Sequence, residues 1–169
     1  MIAAYLRVKG EKTGDVRGPV SDRDRVKNGA IALLAVEHGI ASPRDAASGL
    51  ATGRRQHYPI IVTKAVDRTS PLFYGFLTEN ESLTSVELHF FGSEEGGSLM
   101  GARETELYTI TLTKAFVARI DVGGRVDEQA DPDSRLAMTE RVSFVYDSIE
   151  WKWVDGGIAS KDGWSTGTT

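Results

Sequence analysis

The chain has 169 residues, a formal net charge of −4, 40% apolar and 26% charged residues, and no cysteine. These values are ordinary for a single soluble globular domain, and the lack of cysteine excludes disulfides, thiolate metal sites and a cysteine nucleophile. A net negative charge argues against a general nucleic-acid binder, and no apolar run is long enough to span a bilayer. Residues 1–9 hold no basic segment followed by a long apolar stretch, so no cleaved signal peptide is expected.

The N-terminal part alternates between apolar and polar residues, which predicts β-structure. The first strand is predicted within residues 2–9. Residues 10–28 are charged and contain Gly14, Gly18 and Pro19, and they predict a loop or a weak edge strand. Residues 30–37 are nearly all apolar. They predict a strand that is buried on both faces, although periodicity alone fits a helix as well.

Residues 39–55 have a different composition, with small and polar side chains, three glycines and a proline. This composition predicts an extended loop, and long loops are often functional. The next residues, 56–64, predict a strand with Tyr58, Ile60 and Val62 on one face.

Residues 70–80 carry the helix signal of the chain. Ser70 is the predicted N-cap and Pro71 suits the first helical position, where its missing N–H costs nothing. Asn80 is the predicted end of the helix. The apolar stripe comprises Leu72, Phe73, Phe76 and Leu77. We therefore expect a helix of about two turns beside the sheet, with Phe73 and Phe76 buried.

The second half of the chain is again dominated by period-two alternation. Strands are predicted at residues 83–91, at 107–120 as two strands or one bulged strand, and at 140–154; loops are predicted at 92–103 and 122–135, and a polar, glycine-rich tail at 156–169. Many short antiparallel strands with one helix indicate an all-β barrel or sandwich with a helix beside it.

The sequence offers few groups for catalysis. His38 and His57 flank the long loop and could meet, but two histidines without a third ligand make a poor zinc site. Hydrogen bonds at strand ends are the favoured interpretation of both, and His89 is expected at the surface. The sequence has no nucleophile elbow, P-loop or dinucleotide-binding motif after a strand. We therefore expect no catalytic residue, no metal and no cofactor.

Three further groups leave alternatives open. One acidic cluster could bind calcium but lacks the spacing of a calcium loop; it comprises Asp127, Glu128, Asp131 and Asp133. Glu94 and Glu95 are neighbours in a glycine-rich loop, where a general acid would be poorly held. Solvated turns are the favoured interpretation of both acidic groups. Trp151 and Trp153 share one strand face and could stack on a sugar or a base, but packing in the core or in a subunit interface is favoured.

Four segments taken together, and in this order, resemble one family. They are residues 37–49, continuing through 52–57 and Pro59; residues 63–64, Asp67 and residues 70–72; residues 108–110 with Leu112; and residues 142–144 through 149–151, followed by 153–158. They are similar to the haemolysin-coregulated proteins, Hcp, which form the inner tube of the bacterial type VI secretion system. The motif positions of the resemblance are His38, His57, Pro59, Lys64, Trp151, Trp153, Asp155 and Gly156.

The resemblance implies a mainly β fold: a small β-barrel of two antiparallel sheets with one short flanking α-helix and a long extended loop. It implies a single domain over residues 1–164 and a short polar tail at 165–169, too short for the C-terminal toxin domain that some members carry. The long loop is expected to reach neighbouring subunits and the next ring through Ser42, Pro43, Arg44, Asp45, Arg54 and Arg55. Residues 11–27 are less typical of the family.

The resemblance also implies partners. The chain is expected to form homohexameric rings that stack into a tube, assembled in the bacterial cytoplasm and secreted without a cleaved signal peptide. A contractile sheath, spike proteins and effector proteins in the lumen are the further partners expected, with no nucleic acid and no membrane insertion. The alternatives are a phage-tail tube or baseplate-like protein, or a monomeric carbohydrate-binding or hydrolytic β-barrel.

Charge is distributed unevenly along the chain. Residues 1–68 hold 12 basic and 7 acidic side chains, whereas residues 69–169 hold 8 and 17. Stacked rings would be attracted if Arg44, Arg54 and Arg55 met an acidic face formed by Glu94 and Glu95 or by residues 127–133. The alternative is that the charges scatter around the barrel, so that the asymmetry has no consequence for assembly.

Overall fold

A computed structural model describes residues 2–21, 27–92, 104–124 and 138–164 of the chain. The strands are β1 (Ala3–Gly10), β2 (Gly14–Asp15), β3 (Ile31–Leu33), β4 (Ala35–Glu37), β5 (Ile40–Ala41), β6 (Gln56–His57), β7 (Ile60–Ala65), β8 (Leu83–Gly92), β9 (Thr105–Gly123), β10 (Thr139–Trp153) and β11 (Ile158–Gly163). The helix α1 spans Ser70–Thr78. All strand pairs are antiparallel, so the mainly β class predicted from alternation is confirmed.

Nine of the strands form one sheet, in the order β2-β1-β8-β9-β10-β7-β4, with β3 paired to β1 and β11 paired to β10. The second sheet holds only β5 and β6. The expected arrangement of two sheets closing one barrel is therefore replaced by one large curved sheet and a small separate one.

Residues 31–37 link the two edges of the large sheet. β3 pairs with β1 and β4 pairs with β7, with only Leu34 between them. The Leu34 N–H donates to the Thr63 carbonyl at 2.8 Å, and its side chain is 65% exposed. A single strand buried on both faces is thus wrong for this segment, because the chain changes partner at Leu34. Among the described residues the sheet surrounds the core, but no continuous strand closes it. The short strands β3 and β4 pair with β1 and β7 separately.

The core lies inside the curved sheet and is plugged by α1. Phe73 and Phe76 of the helix are buried, and the Phe73 ring lies 6.2 Å from the Phe144 ring of β10. Buried aliphatic residues from six strands surround them, including Leu6, Ile31, Val62, Leu88, Leu112 and Val142. Burying these side chains is the main favourable contribution to folding.

The start of α1 differs from its prediction. The N-cap is Thr69 and makes no side-chain cap bond. The Ser70 hydroxyl instead donates to Glu140 Oε1 at 2.7 Å and accepts the Asp67 N–H at 3.0 Å. The helix ends at Thr78, and Asn80 adopts the left-handed φ of 50° that commonly follows a helix end.

Three strand boundaries also differ from the sequence expectation. The predicted strand 56–64 is broken between β6 and β7 at Tyr58 and Pro59, where proline lacks the N–H that a ladder needs. β9 is one strand interrupted at Lys114, whose φ is 50°. The predicted tail contains β11, which pairs with β10 from Ser148 to Trp153.

The described part of the chain has no helix with the length and apolar character that a membrane span requires.

Candidate assembly site

The predicted extended loop is a projecting two-stranded arm, which we define as residues 39–57. Ile40 pairs with His57 and Ala41 with Gln56, and an isolated bridge joins Arg44 to Ala51 further out. All residues from 44 to 56 are exposed, including Leu50 at 68%. The arm therefore presents its outer part to solvent rather than to the core of its own chain.

A compact turn forms the tip of the arm. Asp45 Oδ1 accepts the N–H groups of Ala47 and Ser48 at 3.1 and 2.7 Å and the Ser48 hydroxyl at 2.7 Å. These hydrogen bonds, mainly those from Ser48, lower the pKa of the Asp45 carboxyl. Gly49 takes a φ of 70°, and its carbonyl accepts the Arg44 guanidinium at 3.1 Å. The tip thus keeps a defined shape although it is exposed.

The base of the arm is held by the hydroxyl of Tyr146 on β10. His38 Nε2 lies 2.8 Å from this hydroxyl and His57 Nδ1 lies 3.0 Å from it. One histidine precedes the arm and the other ends it, so a single oxygen joins both ends. Both histidines make hydrogen bonds next to strand ends, which is the interpretation favoured from the sequence, and the partner that they share is a tyrosine.

Asp162 of β11 continues this contact. Its Oδ2 lies 3.1 Å from His57 Nε2, and its two oxygens accept the Arg55 guanidinium, each at 2.8 Å. We call His38, Arg55, His57, Tyr146 and Asp162 the anchor. Because a carboxylate only accepts hydrogen bonds, His57 carries its proton on Nε2 when neutral.

Burial and charge set the protonation of the anchor. Burial, assisted by the neighbouring His57, lowers the pKa of His38. Burial and the Asp162 charge raise the pKa of Tyr146 to about 12. The hydrogen bond from Arg55 lowers the pKa of Asp162. At neutral pH the anchor therefore contains a neutral phenol, a carboxylate and a guanidinium.

Two tryptophans flank the anchor. The Trp164 ring lies 5.9 Å from the His57 ring and 5.4 Å from the Tyr146 ring, and the Trp151 ring lies 6.1 Å from the His38 ring. Sequence reasoning identified Trp151 but missed Tyr146, Asp162 and Trp164. These residues are close to the arm only through strand pairing, so no local motif marks them.

The remaining predicted loop residues lie on the arm, and several of the family-motif residues lie elsewhere. Ser42 and Arg54 are exposed on the arm, and Pro43 is half-buried there. Arg55 is exposed too, but its guanidinium is bound to Asp162. A second exposed feature is the turn between β10 and β11, where Trp153 is 45% exposed and Gly156 has a φ of 70°; Asp155 lies in the same turn. Pro59 is half-buried between β6 and β7.

Lys64 belongs to the core rather than to the arm. Both Lys64 and Glu140 have no exposed surface, and Lys64 Nζ lies 2.7 Å from Glu140 Oε1 and 3.2 Å from Asp67 Oδ1. Lys64 and Glu140 stand opposite each other on β7 and β10. With Ser70 they tie the start of α1 to the sheet.

Within the described ranges no group of three metal-ligating side chains could hold an ion.

His89 is not a simple surface residue: its Nδ1 lies 2.5 Å from Glu106 and its Nε2 lies 3.2 Å from Glu87. The acidic candidates Glu94, Glu95 and residues 127–133 lie outside the described residues, as does the tail 165–169.

Comparison with known proteins identifies the fold and the family. The family described as "Type VI secretion system effector, Hcp" matches residues 5–153. The "Major exported protein" of Pseudomonas aeruginosa is 29% identical and the match covers 95% of this chain and 94% of the relative.

Two solved structures extend the comparison. A crystal structure of an Hcp protein matches with a TM-score of 0.82 at 22% identity, covering 99% of this chain and all of that one. The Hcp1 protein from E. coli EAEC 042 matches with a TM-score of 0.77 at 28% identity, covering 97% and 99% of the two chains. Since the family match spans most of the sequence and the fold agrees over nearly its whole length, this chain belongs to the Hcp family of the type VI secretion system.

Proposed function

We propose that this chain is a structural subunit of the type VI secretion inner tube, assembling into hexameric rings that stack. The projecting arm carries the proposal. A closed ring needs a head-to-tail interface, in which one surface of each subunit meets a different surface of the next. An arm that extends from the curved sheet and keeps its own shape supplies one of these two surfaces.

The anchor makes such an arm effective as a contact element. Its hydrogen bonds order both ends of the arm before any partner arrives, so less conformational entropy is lost on association. Leu50 adds an exposed apolar side chain, and covering it with a neighbour stabilises the contact between the two subunits. These features support a neighbouring copy as the partner of the arm.

In this proposal the remaining partners act outside or inside the tube. A contractile sheath drives the tube outward, spike proteins sit at its tip, and effector proteins travel in its lumen. Assembly takes place in the bacterial cytoplasm before export. Residues 1–164 act as one domain with no catalytic role, and the arm residues Ser42, Pro43, Arg44, Asp45 and Arg54 are the proposed contacts.

Size-exclusion chromatography with light scattering tests the proposal. We expect one species containing six chains of 18.4 kDa each, and rings in negative-stain electron micrographs. A clean monomer at micromolar concentration would contradict the proposal and favour a monomeric binding or hydrolytic barrel.

A shortened arm tests the role of the arm itself. Replacing residues 43–54 by Asn-Gly leaves β5, β6 and the anchor in place, because this dipeptide closes a two-residue hairpin. We expect this variant to be monomeric with an unchanged far-UV circular dichroism spectrum. The matched control is Ala46→Ser, which keeps the arm length and should keep the ring.

A further inference from the structure

We propose that the anchor is a proton-responsive latch: it holds the arm with no proton or one proton on its two histidines and releases it when both are protonated. The consequence of this inference for ring formation rests on the proposed function. The latch itself is a property of one chain. It is tested on dilute samples in which light scattering shows single chains, because a neighbour that covers the arm would also immobilise it.

The contacts of the anchor are compatible with two neutral histidines. With both histidines neutral, His57 donates from Nε2 to Asp162 and accepts the Tyr146 proton on Nδ1, while His38 donates from Nε2 to the Tyr146 oxygen. Each of these three contacts then joins one donor to one acceptor. With both histidines neutral, the anchor therefore holds the arm.

A single proton is also accommodated. If it binds His57, Nδ1 becomes a donor to the Tyr146 oxygen and the phenol proton turns to His38 Nε2. His38 then changes tautomer, because its own proton moves from Nε2 to Nδ1. If it binds His38, the original pattern persists and only Nδ1 of that ring gains a proton. In both cases both contacts to Tyr146 remain.

The second proton breaks this pattern. Two imidazolium rings would both point N–H groups at the Tyr146 oxygen, at 2.8 and 3.0 Å in the closed state. The phenol proton would then lose its imidazole acceptor, and two positive charges would flank one oxygen. The phenol does not relieve the conflict by ionising, since its pKa is raised to about 12.

The charged groups around the latch do not cancel this effect. Among the described residues, Asp162 of β11 is the acid in contact with His57, and it is already shared between His57 and Arg55. Tyr146 of β10 is the other titratable neighbour, and Trp151 and Trp164 carry no charge. Opening therefore consumes one further proton relative to the singly protonated closed state.

A spin label on the arm tests the latch. Since the chain has no cysteine, Ala46→Cys gives a single attachment site at the exposed tip. We expect the mobile component of the nitroxide spectrum to grow between pH 8 and pH 4.5, with a midpoint below the usual histidine pKa of about 6.5. The ratio of mobile to immobile spectra should rise about tenfold per pH unit below that midpoint, because one proton is taken up.

Matched variants locate the response. His38→Gln keeps a donor and an acceptor but cannot be charged, so it should abolish the transition in this pH range. His89→Gln removes an unrelated histidine and should leave the midpoint unchanged. An immobile wild-type spectrum down to pH 4.5, or an equal shift in the two variants, would overturn the latch.

Tyr146→Phe provides a second test if His38→Gln does not fold. Deleting the shared oxygen should make the arm as mobile at pH 8 as the wild-type arm is at low pH, and an immobile arm in this variant would also overturn the latch. Light scattering on concentrated samples of the same proteins reports ring formation separately. Absence of rings at pH 8 contradicts the proposed function, whereas the spectra decide the latch alone.

Discussion

At the scale of single residues, the ion pair of Lys64 and Glu140 is the clearest case of a polar requirement inside the core. Both side chains are fully buried. Glu140 Oε1 accepts from Lys64 at 2.7 Å and from Ser70 at 2.7 Å, while its Oε2 has no partner among the described residues. Such a pair is costly to desolvate but more costly to break, because the remaining charge stays buried.

We therefore expect Lys64→Met to lower the free energy of unfolding by about 3–5 kcal/mol, because Glu140 is left unpaired. The double variant Lys64→Met with Glu140→Leu should recover much of that loss. Urea denaturation of both variants measures the difference. The surface pair of Lys161 and Glu150, with Lys161 75% exposed, is the control, and Lys161→Ala should change stability by less than about 1 kcal/mol. Equal losses in the single and double variants would contradict this account.

Ser70 illustrates how one residue can fit a local rule and serve another purpose. Its position before Pro71 favoured an N-cap, but its hydroxyl bonds to Glu140 and to the Asp67 N–H. Ser70→Ala should cost about 1–3 kcal/mol, because it leaves buried polar groups without their partner. In the Glu140→Leu background the loss should shrink, which thermal melting of the double-mutant cycle can measure.

At the scale of elements, the helix α1 acts as the plug of the curved sheet. Phe73 and Phe76 are almost fully buried on its inner face, whereas Tyr74 is 42% exposed on the outer face. Phe73→Ala and Phe76→Ala should each cost about 3–5 kcal/mol, because a cavity is left in the core. The matched control Tyr74→Ala should change stability by no more than about 0.5 kcal/mol. Thermal unfolding compares the three variants, and a similar loss in all of them would show that the plug is misplaced.

Some elements can be predicted from the sequence, whereas the pairing of others cannot. The alternation that predicts β1, β8 and β10 depends on one buried face and is visible locally. The break at Leu34 and the pairing of β11 depend on partners far along the chain, such as Thr63 for Leu34 and Asp147 for the Trp164 N–H. The anchor is non-local in the same way, since His38 and Tyr146 are 108 positions apart. The sequence shows that the two histidines flank the loop, but it does not indicate that Tyr146 joins them.

At the scale of the whole molecule, the uneven charge distribution bears on how rings stack. The expectation that Arg44, Arg54 and Arg55 act together needs refinement, because Arg55 is bound to Asp162 of its own chain. Arg54 is exposed on the arm, and Arg44 contacts only its own turn through the Gly49 carbonyl among the described residues. Arg44 and Arg54 are therefore the arm cations that could meet an acidic face of the next ring.

Salt and charge reversal then test stacking, and reversal at Arg54 leaves the residues of the anchor in place. If exposed charges hold the rings together, tubes should shorten as the Debye length falls from about 10 Å at 0.1 M salt to about 3 Å at 1 M, while rings persist through their apolar contacts. Arg54→Glu should produce the same shortening at low salt with Arg55 left in place. The matched control is Arg119→Glu on β9, which changes the net charge equally at an exposed side chain outside the arm. Sedimentation and electron microscopy measure tube length, and tubes that survive both high salt and Arg54→Glu would show that stacking does not depend on these charges.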